Sequence, residues 1–182
     1  MPRYPRQISA GANNAVIALS ETEVAKIFTG DTRSDIGSEG EKMRFANGVN
    51  GLVVRFLRLD YHEPLDADVL IMERLYPIDF RAWEWERREL WLEVFEDELT
   101  QLHNAGFVHR DLRSVWVSPP SGESEGAGGQ YFDNILLTEN GLRLIDVGIS
   151  ALQSQVGDKL FQKYLQVERE ELAQFRTFFL DR

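Results

Sequence analysis

The chain has 182 residues, 43% of them hydrophobic and 27% charged, the proportions of a soluble globular protein with room for one sizeable domain or two small lobes. A formal net charge of −10 argues against a protein that grips a nucleic-acid backbone, and the lack of cysteine excludes disulfides and thiolate metal sites. No apolar run approaches the roughly 18 residues needed to span a bilayer. The basic start, Met1 to Arg6, leads into no apolar stretch of a secretory signal. The expectation is a cytoplasmic protein with neither nucleic-acid nor membrane partners.

Taken in chain order, Val16–Leu19 and Val24–Phe28 flank the polar turn Ser20-Glu21-Thr22-Glu23 and predict a hairpin. A Gly/Ser/Asp-rich stretch, Thr29 to Gly40, leads into a short helical segment over Glu41–Asn47. Strands are predicted around Leu52–Leu59 and Asp68–Glu73. From Arg87 the pattern turns helical, with Leu90, Val94, Leu99 and Leu102 near a 3.6-residue period until Asn104-Ala105-Gly106 stops it. Val115 to Phe132 is rich in Pro, Gly and Ser and predicts an exposed loop. A second hairpin is expected around Glu139-Asn140-Gly141, then a final amphipathic helix over Lys159–Phe179 with Phe161, Leu165, Leu172, Phe175 and Phe179 on its apolar face. Strands first and helices later predict an α+β fold in two lobes, a small antiparallel sheet over 1–75 and a mainly helical part over 76–182.

The residues that bear chemistry come in a meaningful order. Lys26 lies on a strand and Glu41 opens the helical segment after it. His109-Arg110-Asp111-Leu112-Arg113 follows the long helix, then Asp133-Asn134-Ile135-Leu136-Leu137, and Asp146-Val147-Gly148 closes the second hairpin. Read singly, each has an ordinary structural role; read together, the set resembles the protein-kinase superfamily. In that family a strand lysine pairs with a helix glutamate, an HRD loop precedes an asparagine, and a DFG aspartate holds magnesium. The resemblance covers roughly residues 8–150 and is most specific from Leu102 to Leu112.

What the resemblance implies is a single kinase-like domain that binds ATP and Mg²⁺. Lys26 would meet the α- and β-phosphates, steadied by Glu41, with Glu39 a near rival for that role. Asn134 and Asp146 would ligate Mg²⁺, a hard cation that favours carboxylate and amide oxygens. Asp111 would take the proton of the acceptor hydroxyl, and Arg113 stands where a lysine usually contacts the γ-phosphate. Gly11, Asn14, Val16, Val24, Met72, Glu73, Leu75 and Leu136 would surround the nucleotide.

Departures from the family pattern are also plain. Only Gly11 remains of the glycine-rich loop, and Val147 replaces the phenylalanine of the DFG motif. Counted without a gap, the asparagine position falls on Trp116. Asn134 takes that role only if 115–132 is a loop insertion, whose cost beyond closure entropy is small. After Gly148 only 34 residues remain, so no activation segment is recognisable and the last helix is expected under the catalytic loop, with Asp158 as its candidate anchor.

The leading expectation is therefore a minimal protein serine/threonine kinase, needing a protein substrate or an activating partner. Arg113 and the full His-Arg-Asp triplet favour a protein acceptor over a small molecule. A small-molecule kinase and a nucleotide-binding pseudokinase acting as a scaffold are the alternatives. Very small kinases of this shape also resemble effectors that bacteria deliver into host cells.

Overall fold

The computed structural model describes residues 4–10, 14–28, 36–115 and 130–181. Strands β1 (Arg6–Ala10), β2 (Asn14–Ala18), β3 (Glu23–Phe28), β4 (Phe56–His62) and β5 (Ala67–Glu73) form an antiparallel sheet in the order β1-β2-β3-β5-β4. The register sets Val16 opposite Lys26, Val24 opposite Met72 and Lys26 opposite Leu70. Because side chains alternate along a strand, Val24, Leu70 and Met72 join the main core. Ile17, Ala25, Ile27, Val69 and Ile71 pack together on the other face.

Helix α1 (Ile36–Asn47) begins five residues before the predicted start at Glu41. Gly40, which read as loop, serves packing instead. A Cβ on Gly40 would come within 3.2 Å of the Phe56 ring, so the missing side chain lets β4 approach the helix. The strand predicted over 52–59 is also displaced. Leu52, Val53 and Val54 are buried but leave the sheet. They exchange hydrogen bonds with the second hairpin instead, Val54 N–H to Leu144 O and Leu144 N–H to Leu52 O, both at 2.8 Å. The chain meets β5 from Arg55, whose carbonyl accepts from Glu73 N–H at 3.0 Å, and the ladder follows from Phe56.

Helix α2 (Trp85–Ala105) ends at Gly106, whose φ of 96° is a left-handed conformation that glycine adopts freely. Its buried stripe is Arg88, Trp91, Leu92, Phe95, Leu99 and Leu102. Leu90 and Val94, part of the predicted apolar face, are 56% and 58% exposed. The aromatic residues, which bury the most area, decide the rotation of the helix and turn these two aliphatics outward.

Short strands follow: β6 (Phe107–Val108), β7 (Ser114–Val115), β8 (Gln130–Tyr131), the hairpin β9 (Ile135–Thr138) and β10 (Gly141–Leu144), and β11 (Ala151–Leu152). The rim of the predicted loop is paired, Ser114 with Tyr131 and Val115 with Gln130. Phe132 is in the core rather than in the loop. Residues 116–129, Trp116 included, lie outside the described residues.

The chain closes with the short helix α3 (Gln153–Val156) and with α4 (Asp158–Leu180). Phe161, Leu165, Phe175 and Phe179 of α4 are buried as its periodicity predicts. Buried Arg88 of α2 donates to Phe179 O at 2.8 Å and Asp181 O at 3.0 Å, satisfying carbonyls that the end of a helix leaves unpaired. The fold is mixed α and β with an antiparallel sheet. One apolar cluster runs from Val24 and Met72 of the sheet through Met43, Leu92 and Phe95 to Phe175 and Phe179. Among the described residues no helix is long and apolar enough to cross a membrane.

Candidate functional site

The site is built around Lys26. Its position on β3 points it to the α1 side of the sheet, where it is 3% exposed. Its ammonium donates to both carboxylate oxygens of Glu39, at 2.9 and 3.0 Å, and to Asp146 Oδ1 at 2.7 Å. Glu41 is not the partner. With α1 starting at Ile36, Glu39, Met43 and Ala46 fall on one buried face, and Glu41 turns outward into solvent. A second lysine, Lys42, donates to Gly148 O at 2.7 Å and ties α1 to the segment after β10. Burial opposes the charge on Lys26, but Glu39 and Asp146 outweigh it and hold its pKa above the ordinary value. Burial also works against ionised Asp146, yet the Lys26 ammonium prevails and its pKa lies below the usual range.

The second half of the site is the 109–113 loop. Asp111 is joined to Asn134, whose amide donates to Asp111 O at 2.8 Å and to Oδ2 at 3.0 Å. Asn134 is in turn held beside Asp146, because Ile145 N–H donates to Asn134 O at 3.0 Å. Burial raises the pKa of Asp111; His109 and Asn134 act against it, and nearby Asp146 adds to it. Three non-glycine residues among those described have positive φ, and two of them, Arg110 at 72° and Asp146 at 54°, lie here. Such conformations cost energy and persist where the surroundings impose them. Around Arg110 and Asp146 those surroundings are specific: Arg110 Nη1 donates to Ile149 O at 2.8 Å, Ser150 Oγ to His109 O at 3.0 Å, and His109 Nε2 pairs with Ile145 O at 2.9 Å.

Helix α4 supports this loop along its length. Glu168, fully buried, accepts from Arg110 N–H with one oxygen and pairs with His103 Nε2 at 2.8 Å with the other. Asp158, the expected anchor, instead accepts from Gln153 Nε2 at 2.8 Å at the exposed start of α4. It lies ten residues away from Glu168 along the helix, too early to reach the loop. The Arg110 guanidinium stacks on Tyr164 at 3.8 Å from the ring centroid, and Arg113 Nη1 donates to Gln174 Oε1 at 2.8 Å. Glu171 sits beside Leu112 and Arg113, its pKa raised by burial and by Glu168.

No protein-family model matches this chain, and no curated protein does.

The residues expected around a nucleotide are in part brought together. Val16, Val24 and Met72 share the face of the sheet that carries Lys26, and Leu75 packs against the same core. Leu136 is half-buried on β9. Oε1 of Glu73 accepts from Arg55 N–H at 2.8 Å and pairs with Arg143. Asn14 contributes backbone to β2, and Gly11 lies outside the described residues. Val147 is 1% exposed and belongs to the main core, against which Phe45 and Phe56 pack.

Oxygens for a hard cation are present. Among the described residues nothing donates to Asn134 Oδ1 or to Asp146 Oδ2, so an amide and a carboxylate oxygen remain, the donor types Mg²⁺ takes. No group of three or more His, Cys, Asp or Glu suited to a metal occurs among the described residues. A cation here would thus rely on other ligands as well. Sequence reasoning missed Glu168, although its signal was visible: an acid inside the apolar stripe 161–165–172–175 must be paired if buried.

Proposed function

We propose that this chain is an ATP- and Mg²⁺-dependent phosphotransferase with a kinase-like, two-lobed arrangement, acting on a protein hydroxyl. The observation that carries the reading is the ammonium of Lys26 fixed between Glu39 and Asp146, with Asn134 bonded to Asp111 beside them. Phosphoryl transfer asks mainly for charge neutralisation and alignment, and this cluster offers both. Lys26 would bind the α- and β-phosphates. Asn134 and Asp146 would hold Mg²⁺, which when bound neutralises charge on the phosphates. Asp111, steadied by the Asn134 amide, would orient the acceptor hydroxyl and take up its proton as the oxygen attacks the γ-phosphorus and the bond to ADP breaks. Arg113 reaches α4 in this structure, so its contact with a phosphate requires release from Gln174.

The test is a thermal-shift titration with ATP and Mg²⁺ on wild type and Asp146→Ala, paired with radiolabel transfer from γ-labelled ATP to casein and histone. Nucleotide should raise the wild-type midpoint and leave that of the variant unmoved. A wild type that ignores nucleotide sinks the proposal. A small-molecule acceptor is the second reading, and Glu171 favours it by adding a half-buried carboxylate near Asp111. Label appearing on aminoglycosides or sugars but on neither protein would move the assignment there.

A further inference from the structure

Although the chain is strongly acidic, one surface inverts its charge. The sequence holds four lysines; Lys26 and Lys42 are buried, whereas Lys159 and Lys163 are exposed one turn apart on α4. Leu160 and Val167 beside them are 40% and 52% exposed. Residues 159–167 contain no acid, and the one exposed carboxylate just before them, Asp158, leaves the two lysines a net positive charge. Neither lysine has an ion-pair partner among the described residues. A cleft of about 330 Å³ opens here, lined by Val156, Gly157, Asp158, Lys159, Leu160 and Lys163. The patch adjoins the 109–113 loop, because Tyr164 on the same helix carries the Arg110 guanidinium.

We propose that this basic and apolar patch docks an acidic protein segment bearing leucine or phenylalanine side chains. A body of net charge −10 disfavours an anionic segment overall, so complementarity steers such a segment to a place where the local sign is positive. Exposed Leu160 and Val167 then take up its apolar side chains. An anionic membrane fits less well. Two lysines fall short of the roughly four to eight that a lipid-binding basic cluster uses, and a bilayer would face the acidic body over a wide area. As the docking place of a phosphate acceptor the patch rests on the function proposed above, since it leads the bound chain toward Asp111. As a binding surface it stands by itself.

Fluorescence anisotropy of a short fluorescein-labelled peptide of Glu, Leu and Phe tests the proposal. Saturable binding is expected, weakened by added salt and about tenfold or more by K159E/K163E. L160S/V167S should weaken it too. Both variants alter exposed side chains, so their melting midpoints and their response to ATP should match wild type. Equal binding of a peptide with Gln for Glu, or equal binding by K159E/K163E, overturns the proposal. So does binding confined to phosphatidylserine vesicles, or wild-type self-association abolished by the same substitutions. Peptide binding without any ATP response removes the proposed function and leaves the docking surface; the reverse result removes the docking surface alone.

Discussion

Lys26 brings one positive charge to two carboxylates, and how those three groups share burial decides what each contributes. Glu39 is 1% exposed, and burial outweighs the Lys26 ammonium to hold its pKa above the ordinary range, so Glu39→Gln, which leaves Lys26 paired with Asp146, should not lower the urea midpoint at pH 7. Lys26→Met removes the counter-charge of both carboxylates and is expected to lower stability in urea unfolding by about 3 kcal/mol, the scale of breaking a buried ion pair. Glu41→Gln should leave the urea midpoint where it was, because that side chain faces water. Glu171 makes the opposite kind of prediction. Its pKa is raised in the folded state, so the native protein holds more protons than the unfolded chain between the ordinary value and the raised one. Stability therefore falls as pH rises through that window. Glu171→Gln should melt higher than wild type at pH 7, and the gap should close as pH falls toward about 4.3, the usual glutamate value.

Elements turn such residues toward one another, and α4 does most to support the loop that holds Asp111. Its rotation was legible from the sequence, since five apolar residues at helical spacing name one face. For α2 the same kind of reading failed in part. Leu90 and Val94 fit the period, but Trp91 and Phe95 outweigh them in buried area and fix the helix one step round. Phe175→Ala should therefore cost about 3–5 kcal/mol by urea unfolding, the range for emptying a buried aromatic position. Leu90→Ala should stay within the scatter of surface substitutions. The paired rim formed by β7 and β8 yields a further expectation. Replacing 116–129 with a two-residue turn should preserve folding and nucleotide response, because the strand ends already lie side by side and a shorter loop loses less closure entropy. Loss of the folded state on that replacement, seen by circular dichroism, would contradict it.

At the scale of the whole molecule, the apolar cluster that begins in the sheet continues without a break into α4. Tryptophan fluorescence, two of whose four emitters, Trp85 and Trp91, lie on α2, and far-ultraviolet circular dichroism should give coincident urea transitions, as a single cooperative unit requires. The order of the longer elements from β2 to α4 was readable in advance, because alternation and helical period depend on near neighbours alone, whereas β1, the two-residue strands and α3 were not. What escaped was set by distant neighbours: the path of Leu52–Val54 depends on β10, ninety residues later, and the choice of Glu39 over Glu41 depends on where α1 begins. The candidate site followed the same division. Lys26, Asp111, Asn134 and Asp146 were named by their likeness to the order and spacing of a kinase, whereas Glu168, an acid visible inside the apolar stripe of α4, has partners far off in the chain, His103 and the Arg110 amide, that the sequence does not reveal.

Two lysines on neighbouring elements fasten the same strip of chain: Lys26 grips the Asp146 carboxylate, and Lys42 grips the carbonyl of Gly148 two residues on. With Glu39 completing the chain of contacts, α1 and that strip behave as two boards nailed together at a pair of points. Neither can slide alone, so whatever pulls on one is felt at the other, and amide exchange rates in both should rise or fall in step.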